Sequence, residues 1–155
     1  MLTQTTSTAL AVADVTVTGL RFEHLADALG IGVDGPRLSW VVETDAQAWR
    51  QAAYEIEARG SDGERAGSTG RVESAESVLV PWPFAALRSR ERLLIRVRVW
   101  GEGGAFSDWS ASAAVEAGLL DADDWTAAFV TPGWDEDTSR PQPCPFLRRE
   151  FVARP

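Results

Sequence analysis

The chain of 155 residues contains no lysine and no asparagine, and it has a single cysteine and a single histidine. Each absence excludes something. Without lysine, the GK[ST] ending of a phosphate-binding loop cannot occur. Without asparagine, there is no N-glycosylation acceptor. One thiol, Cys144, can form no internal disulfide and no zinc site built on several thiolates. A Ser-His-Asp or Cys-His site would have to use His24, and no motif surrounds it. Cys144 stands between Pro143 and Pro145 with no basic neighbour close in sequence, and reads as an incidental thiol. No apolar run is long enough to cross a bilayer. Acidic side chains outnumber basic ones, giving a net charge of -8. That balance disfavours nucleic acid and anionic membranes as partners. Residues 1–17 show neither a basic start nor a sustained apolar run, so they do not read as a signal peptide, and a cytoplasmic location is expected. The missing residue types are encoded by A-rich codons, which points to a bacterial genome rich in G and C.

What is present is a succession of short alternating segments. Residues 1–13 read as a loose leader. Val15, Val17, Leu20 and Phe22 suggest a first strand with an irregularity near Gly19. Residues 26–29 have room for one helical turn before Gly30, Gly32 and the Gly35–Pro36 pair break it. Leu38, Trp40 and Val42 alternate with Ser39, Val41 and Glu43, and Tyr54, Ile56 and Ala58 alternate with Glu55, Glu57 and Arg59. Both patterns are those of a strand with one face inward. Residues 60–71 form a glycine- and serine-rich hairpin or loop, where the glycines serve as turn residues. Val72 and Val78–Val80 fall on short strands, the second ended by Pro81 and Pro83. In "RLLIRVRVWGEGG", Leu93, Ile95, Val97 and Val99 face one way, and Leu94, Arg96, Arg98 and Trp100 the other. A turn and a final strand over 109–115 complete a hairpin. Some seven strands without a helical period over 14–117 predict an all-β fold, an antiparallel sandwich of immunoglobulin or fibronectin type III shape. Its expected core is Trp40, Tyr54, Ile56, Leu93, Ile95, Val97 and Val99. Residues 118–155 differ: an acidic cluster, a short apolar run, a proline-rich loop and one more expected strand in "FLRREFV". Two short strands cannot bury a core of their own.

Several stretches, in order, resemble the N-terminal module of bacterial α-L-rhamnosidases, which are inverting glycoside hydrolases. They are "GVDGPRLSWVVE" (32–43), "QAAYEIEA" (51–58), "GRVESAESVLVPW" (70–82), "LRSRERLLIRVRVWGEGGAFSDWS" (87–110), "AGLLDADDWTAAFV" (117–130) and "PFLRREFVA" (145–153). The resemblance implies that 118–155 is a linker leading into the first strand of a second β-sandwich that is cut off here. It further implies that the catalytic carboxylates belong to a later helical barrel, so that none has a matching position in this chain. One departure is that the tyrosine many fibronectin-like domains carry near the start of the penultimate strand is replaced here by Leu93.

Candidate chemistry is sparse. An inverting glycosidase needs two carboxyl groups about 6.5–9.5 Å apart. Asp121 with Asp124, or Asp135 with Asp137, would have to supply them, from a stretch that reads as a solvated acidic linker in which Asp121 or Asp123 caps a turn before Trp125. The chain has seven tryptophans. Trp40 belongs to the core. Arg96, Arg98 and Trp100 share a strand face with Trp109 just across the hairpin, which predicts a cation–π ladder. Trp49, Trp82 and Trp134 lie in loops and are the candidates for stacking on a sugar, although contact between domains explains loop tryptophans equally well. The reading is a non-catalytic accessory module whose partners are later domains of the same enzyme. The rivals are an independent carbohydrate-binding module that takes rhamnose-containing glycans and a protein-interaction domain unrelated to sugars. No metal or cofactor is implied. The unpaired edge of "FLRREF" is expected to allow association with a second copy.

Overall fold

A computed structural model describes residues 14–135, 137 and 139–152; the expected leader over 1–13 lies outside the described residues. The chain divides into two units, one ending at Asp124 and one starting at Trp125.

The first unit is a β-sandwich. Eight strands run in the order β1 (Val15–Phe22), β2 (Ala28–Ile31), β3 (Leu38–Thr44), β4 (Gln51–Gly60), β5 (Arg65–Ser68), β6 (Val72–Glu73), β7 (Arg92–Gly101) and β8 (Ala113–Ala117). The larger sheet has the order β2-β8-β7-β4-β5, with β6 also on β4, and the smaller sheet pairs β1 with β3. All pairings are antiparallel except β2 with β8, which is parallel.

Alternation in β7 buries Leu93, Ile95, Val97 and Val99. Across the sandwich they join Val15, Val17, Phe22, Leu38 and Trp40 in one core. All seven expected core residues are buried. Trp40 meets Tyr54 edge to face, with ring centroids 5.2 Å apart. Its indole N–H donates to the Gln51 amide oxygen at 3.1 Å. The Gln51 amide nitrogen in turn donates to the carbonyls of Ser74 and Glu76. The polar groups of Trp40 and Gln51 are thereby paired, as burial requires.

The irregularity near Gly19 is a β-bulge. Register shifts between Thr18 and Arg21, and Gly19 has φ of 59°, in the left-handed region. The bulge lets Val15, Val17, Leu20 and Phe22 all point inward, although the spacing between them is not strictly two.

Four expectations are corrected. The segment over 26–29 is not a helical turn: β2 begins at Ala28, where the pairings Ala28↔Val115 and Ile31↔Ala117 give the backbone a ladder that one isolated turn could not match. The expected strand at Val78–Val80 shrinks to one bridge, Leu38↔Val80, with a further bond from the Trp40 N–H to the Ser77 carbonyl. Leu79, at φ of 52°, interrupts the extended backbone there. The last strand starts at Ala113, not at 109. Before it, the hydroxyls of Ser107 and Ser110 accept the N–H groups of Val99 and Val97, standing in for strand carbonyls. Finally, "FLRREF" forms no strand: residues 145–152 have no ladder partner among the described residues.

The sandwich's bonding also runs on past Ala117, as far as Asp124. Residues 122–124 form a short 3₁₀ turn, and Leu120 is partly buried against the core.

Candidate functional site

The most elaborate side-chain assembly lies on the outer face of the larger sheet. β4 and β7 are in register there, with Glu55 opposite Arg98 and Glu57 opposite Arg96. Glu57 is almost fully buried and accepts from Arg96 at 2.8 Å and from Arg59 at 2.7 Å. Burial pushes the Glu57 carboxyl up. The hydrogen bond from Arg59 and the charges of Arg96 and Arg59 outweigh that and hold it below the usual carboxylate range. Glu55 accepts from Arg98 at 2.6 Å and from the Ser68 hydroxyl at 2.9 Å. Above this ionic layer the guanidiniums of Arg96 and Arg98 lie 4.5 and 4.6 Å from the Trp109 ring centroid. Arg98 also stacks on Trp100 at 4.9 Å, and Arg71 adds a further rung at 5.2 Å. The expected ladder therefore forms. The rung from Arg71 and the burial of Glu55 and Glu57 were not legible in the strand pattern. Both carboxylates here are paired with guanidiniums, and the indole faces of Trp100 and Trp109 are taken by cations, which makes the face structural in chemistry.

Of the three loop tryptophans, Trp49 and Trp82 belong to the first unit and Trp134 to the second. Trp49 is half-buried: its indole N–H lies inside the fold without a hydrogen-bond partner. A Cβ added at Gly101 would lie 2.5 Å from that nitrogen, so the ring lies close against the β7 backbone where only glycine leaves room. Trp82 is half-buried too. It donates to the Ala85 carbonyl at 2.8 Å and packs edge to face on Phe84, centroids 5.3 Å apart. Trp134, in the second unit, is 64% exposed. Of the three, only Trp134 presents an open ring.

The acidic candidates occupy turns. The cap before Trp125 is made by Asp124, which reaches back to the Asp121 N–H at 3.2 Å and accepts the Ser89 hydroxyl; neither Asp121 nor Asp123 provides it. Those two bonds hold the Asp124 carboxyl below its ordinary range. Asp137 accepts from the Ser139 hydroxyl and N–H and pairs with Arg140 at 3.1 Å. Asp135 is exposed, as are His24 and Cys144. Among the described residues, no group of three His, Cys, Asp or Glu side chains is placed to hold a metal ion.

The described residues also form several surface clefts, two of which touch the groups above. One, of about 320 Å³, lies between β1 and the segment before β8, with Asp14, Asp108, Phe106 and Trp109 on its walls. The other, of about 560 Å³, runs between 86–89 and 120–124, with Asp34, Leu87, Arg88 and Asp124 among its lining. Both are open and shallow; Asp14, Asp34 and Asp108 are exposed, and the Asp124 carboxylate is held by Ser89 and the Asp121 N–H.

Residues 17–121 match the family described as the Rha78A-like, N-terminal immunoglobulin domain. An α-L-rhamnosidase of Streptomyces avermitilis is 36% identical over 119 residues, which is 74% of this chain and 12% of that protein. The crystal structure of an α-L-rhamnosidase from Aspergillus terreus superposes with a TM-score of 0.68 at 42% identity, covering 74% of this chain and 13% of its own. That of the Streptomyces avermitilis enzyme complexed with L-rhamnose gives 0.69 at 36% identity, covering 73% and 11%. The chain thus spans about an eighth of the length of the curated relatives it matches. With its two-sheet sandwich and this match over most of its length, the chain belongs to the Rha78A-like N-terminal immunoglobulin domain family.

Proposed function

We propose that this chain is a non-catalytic accessory module at the N-terminal end of an α-L-rhamnosidase, and that it acts by packing against later domains of the same enzyme. The parent reaction would be hydrolysis of terminal α-L-rhamnose from glycosides. One observation carries the reading: the inward side chains of both sheets are consumed by a single core, and the carboxylates left outside sit on exposed turns or in ion pairs. A general acid needs a setting that raises its pKa. Asp124 and Asp137, by contrast, are shifted downward by their hydrogen bonds. The match to about an eighth of much longer enzymes supports the modular part of the reading.

The test is incubation of the purified chain with a chromogenic aryl α-L-rhamnoside, alongside calorimetric titration with L-rhamnose. The expected result is no aglycone release and no saturable heat. Release by this polypeptide alone would overturn the proposal. Saturable binding abolished by Trp134→Ala would replace it with an independent carbohydrate-binding module.

A further inference from the structure

The segment after β8 is held in an unusual way for a linker. The Ala117 N–H donates to the Glu91 carbonyl at 2.9 Å and the Gly118 N–H to the Ile31 carbonyl at 2.8 Å. The Gly118 carbonyl accepts the Arg90 N–H at 3.0 Å. Gly118 is held so close to β2 that an added Cβ would lie 3.1 Å from the Gly30 carbonyl oxygen. One side chain then does two tasks: the Ser89 hydroxyl accepts the Leu120 N–H at 2.9 Å and donates its own proton to the Asp124 carboxylate. That carboxylate also takes the Asp121 N–H at 3.2 Å, while the Asp124 N–H donates to the Asp121 carbonyl at 3.1 Å. The Leu120 side chain packs on the core. Ser89 comes from the loop before β7 and Asp124 is the last residue of the first unit.

We propose that Ser89 and Asp124 form a latch that makes 117–124 a rigid exit arm of the sandwich, so that whatever follows Asp124 starts from a fixed point. A flexible tether would need none of these bonds. Its backbone groups would be satisfied by water, and its sequence would be free of side chains reaching back to the body of the fold. Here backbone groups of Ala117, Gly118, Leu120, Asp121 and Asp124 are tied to β2, to the loop before β7 and to the arm's own turn. The latch has a defined polarity, because the serine is acceptor to one end of the arm and donor to the other. Removing either the hydroxyl or the carboxylate breaks the relay. Glycine at 118 allows the close approach that starts it. The role of the arm within a larger enzyme rests on the function proposed above. The arm's rigidity does not, and it is measured on this chain alone.

The experiment is amide hydrogen exchange on the whole chain at neutral pH, read residue by residue. The Leu120 and Asp121 amides are expected to exchange at least about a hundredfold more slowly than those of Phe129 and Val130. Ser89→Ala and Asp124→Ala should each speed exchange at Leu120 and Asp121 by about tenfold or more, the effect of losing a charge-assisted hydrogen bond. Val97 and Val99 should be unchanged. Ser89→Thr, which keeps the hydroxyl, should restore protection. If Ser89→Ala disturbed the fold, Val97 and Val99 would report it, and Asp124→Ala at the surface would decide alone. Wild-type Leu120 exchanging as fast as Phe129, or Asp124→Ala leaving Leu120 and Asp121 unchanged, would overturn the proposal.

Discussion

At the residue scale, the clearest single-site effect is the pairing of Glu23 with Arg37. Glu23 sits at φ of 53° just beyond β1, and its N–H donates to the Arg37 carbonyl at 2.8 Å. Its carboxylate takes the Arg37 guanidinium through both oxygens and the Arg37 N–H through one. Hydrogen bonds from the Arg37 side chain and backbone lower its pKa to about 2. A carboxyl whose folded pKa is depressed adds stability that is complete above its unfolded value and is lost as pH falls through the folded one. The contribution of Glu23 should therefore fade between about pH 4.5 and about pH 2. Urea midpoints across that window should fall less steeply for Glu23→Gln than for the wild type; parallel curves would show that the pair contributes nothing. The sequence did not disclose this pair. Two charges separated by a segment that contains β2 carry no spacing rule, and only the antiparallel pairing of β1 with β3 brings them together.

At the scale of elements, β4 shows why a strand pattern can mislead. Its alternation marks Tyr54, Ile56 and Ala58 as inward, and they are buried. The same alternation marks Glu55 and Glu57 as solvent-facing, and they are buried as well, under the arginines of β7 and the side chains of β5. Periodicity reports which face a residue takes and not what later covers that face. Losing the buried Glu57 carboxylate strands Arg96 and Arg59, whose partial exposure discounts the penalty of a fully buried pair to about 2 kcal/mol. Glu57→Ala should approach that figure in chemical denaturation. Arg65→Ala, which removes a more exposed partner 3.8 Å from Glu57, should cost less than about 1 kcal/mol. Equal losses would mean that the outer layer is not organised around Glu57. The arginine–tryptophan ladder, in contrast, was readable, because the i, i+2 spacing of Arg96, Arg98 and Trp100 fixes one face. The strand β2 was not, because four residues that pair with a segment far along the chain leave no local trace.

At the scale of the whole molecule, the sandwich class was legible from seven alternating segments and their turns. The end of the compact unit was not. The sequence changes character after Ala117, where the strands stop, but hydrogen bonding to the sandwich continues to Asp124. That difference gives a simple pair of truncations. A chain ending at Asp124 should keep the full thermal midpoint, while one ending at Ala117 should melt a few degrees lower, since a loss of about 1 kcal/mol moves the midpoint of a domain this size by about 3–5 °C. Light scattering on the same samples addresses self-association. Phe146, Phe151 and Val152 are exposed, so the complete chain is expected to show a larger mass than the form ending at Asp124. Identical masses would discard association through the tail, and identical midpoints would discard a structural role for 118–124.

The parallel pairing of Ala28 with Val115 sets a timetable for a nascent chain. Synthesis runs from the N-terminus at about 5–20 residues per second, so β2 waits about 4–17 s before its partner has even been made. β7 also lacks its second neighbour until then, because β8 lies between the two. Until the ribosome has passed Ala117, the larger sheet has an open flank with Leu93 and Ile95 beside it. Holding that flank clear of other nascent chains is therefore a task for the cell before it is one for the fold.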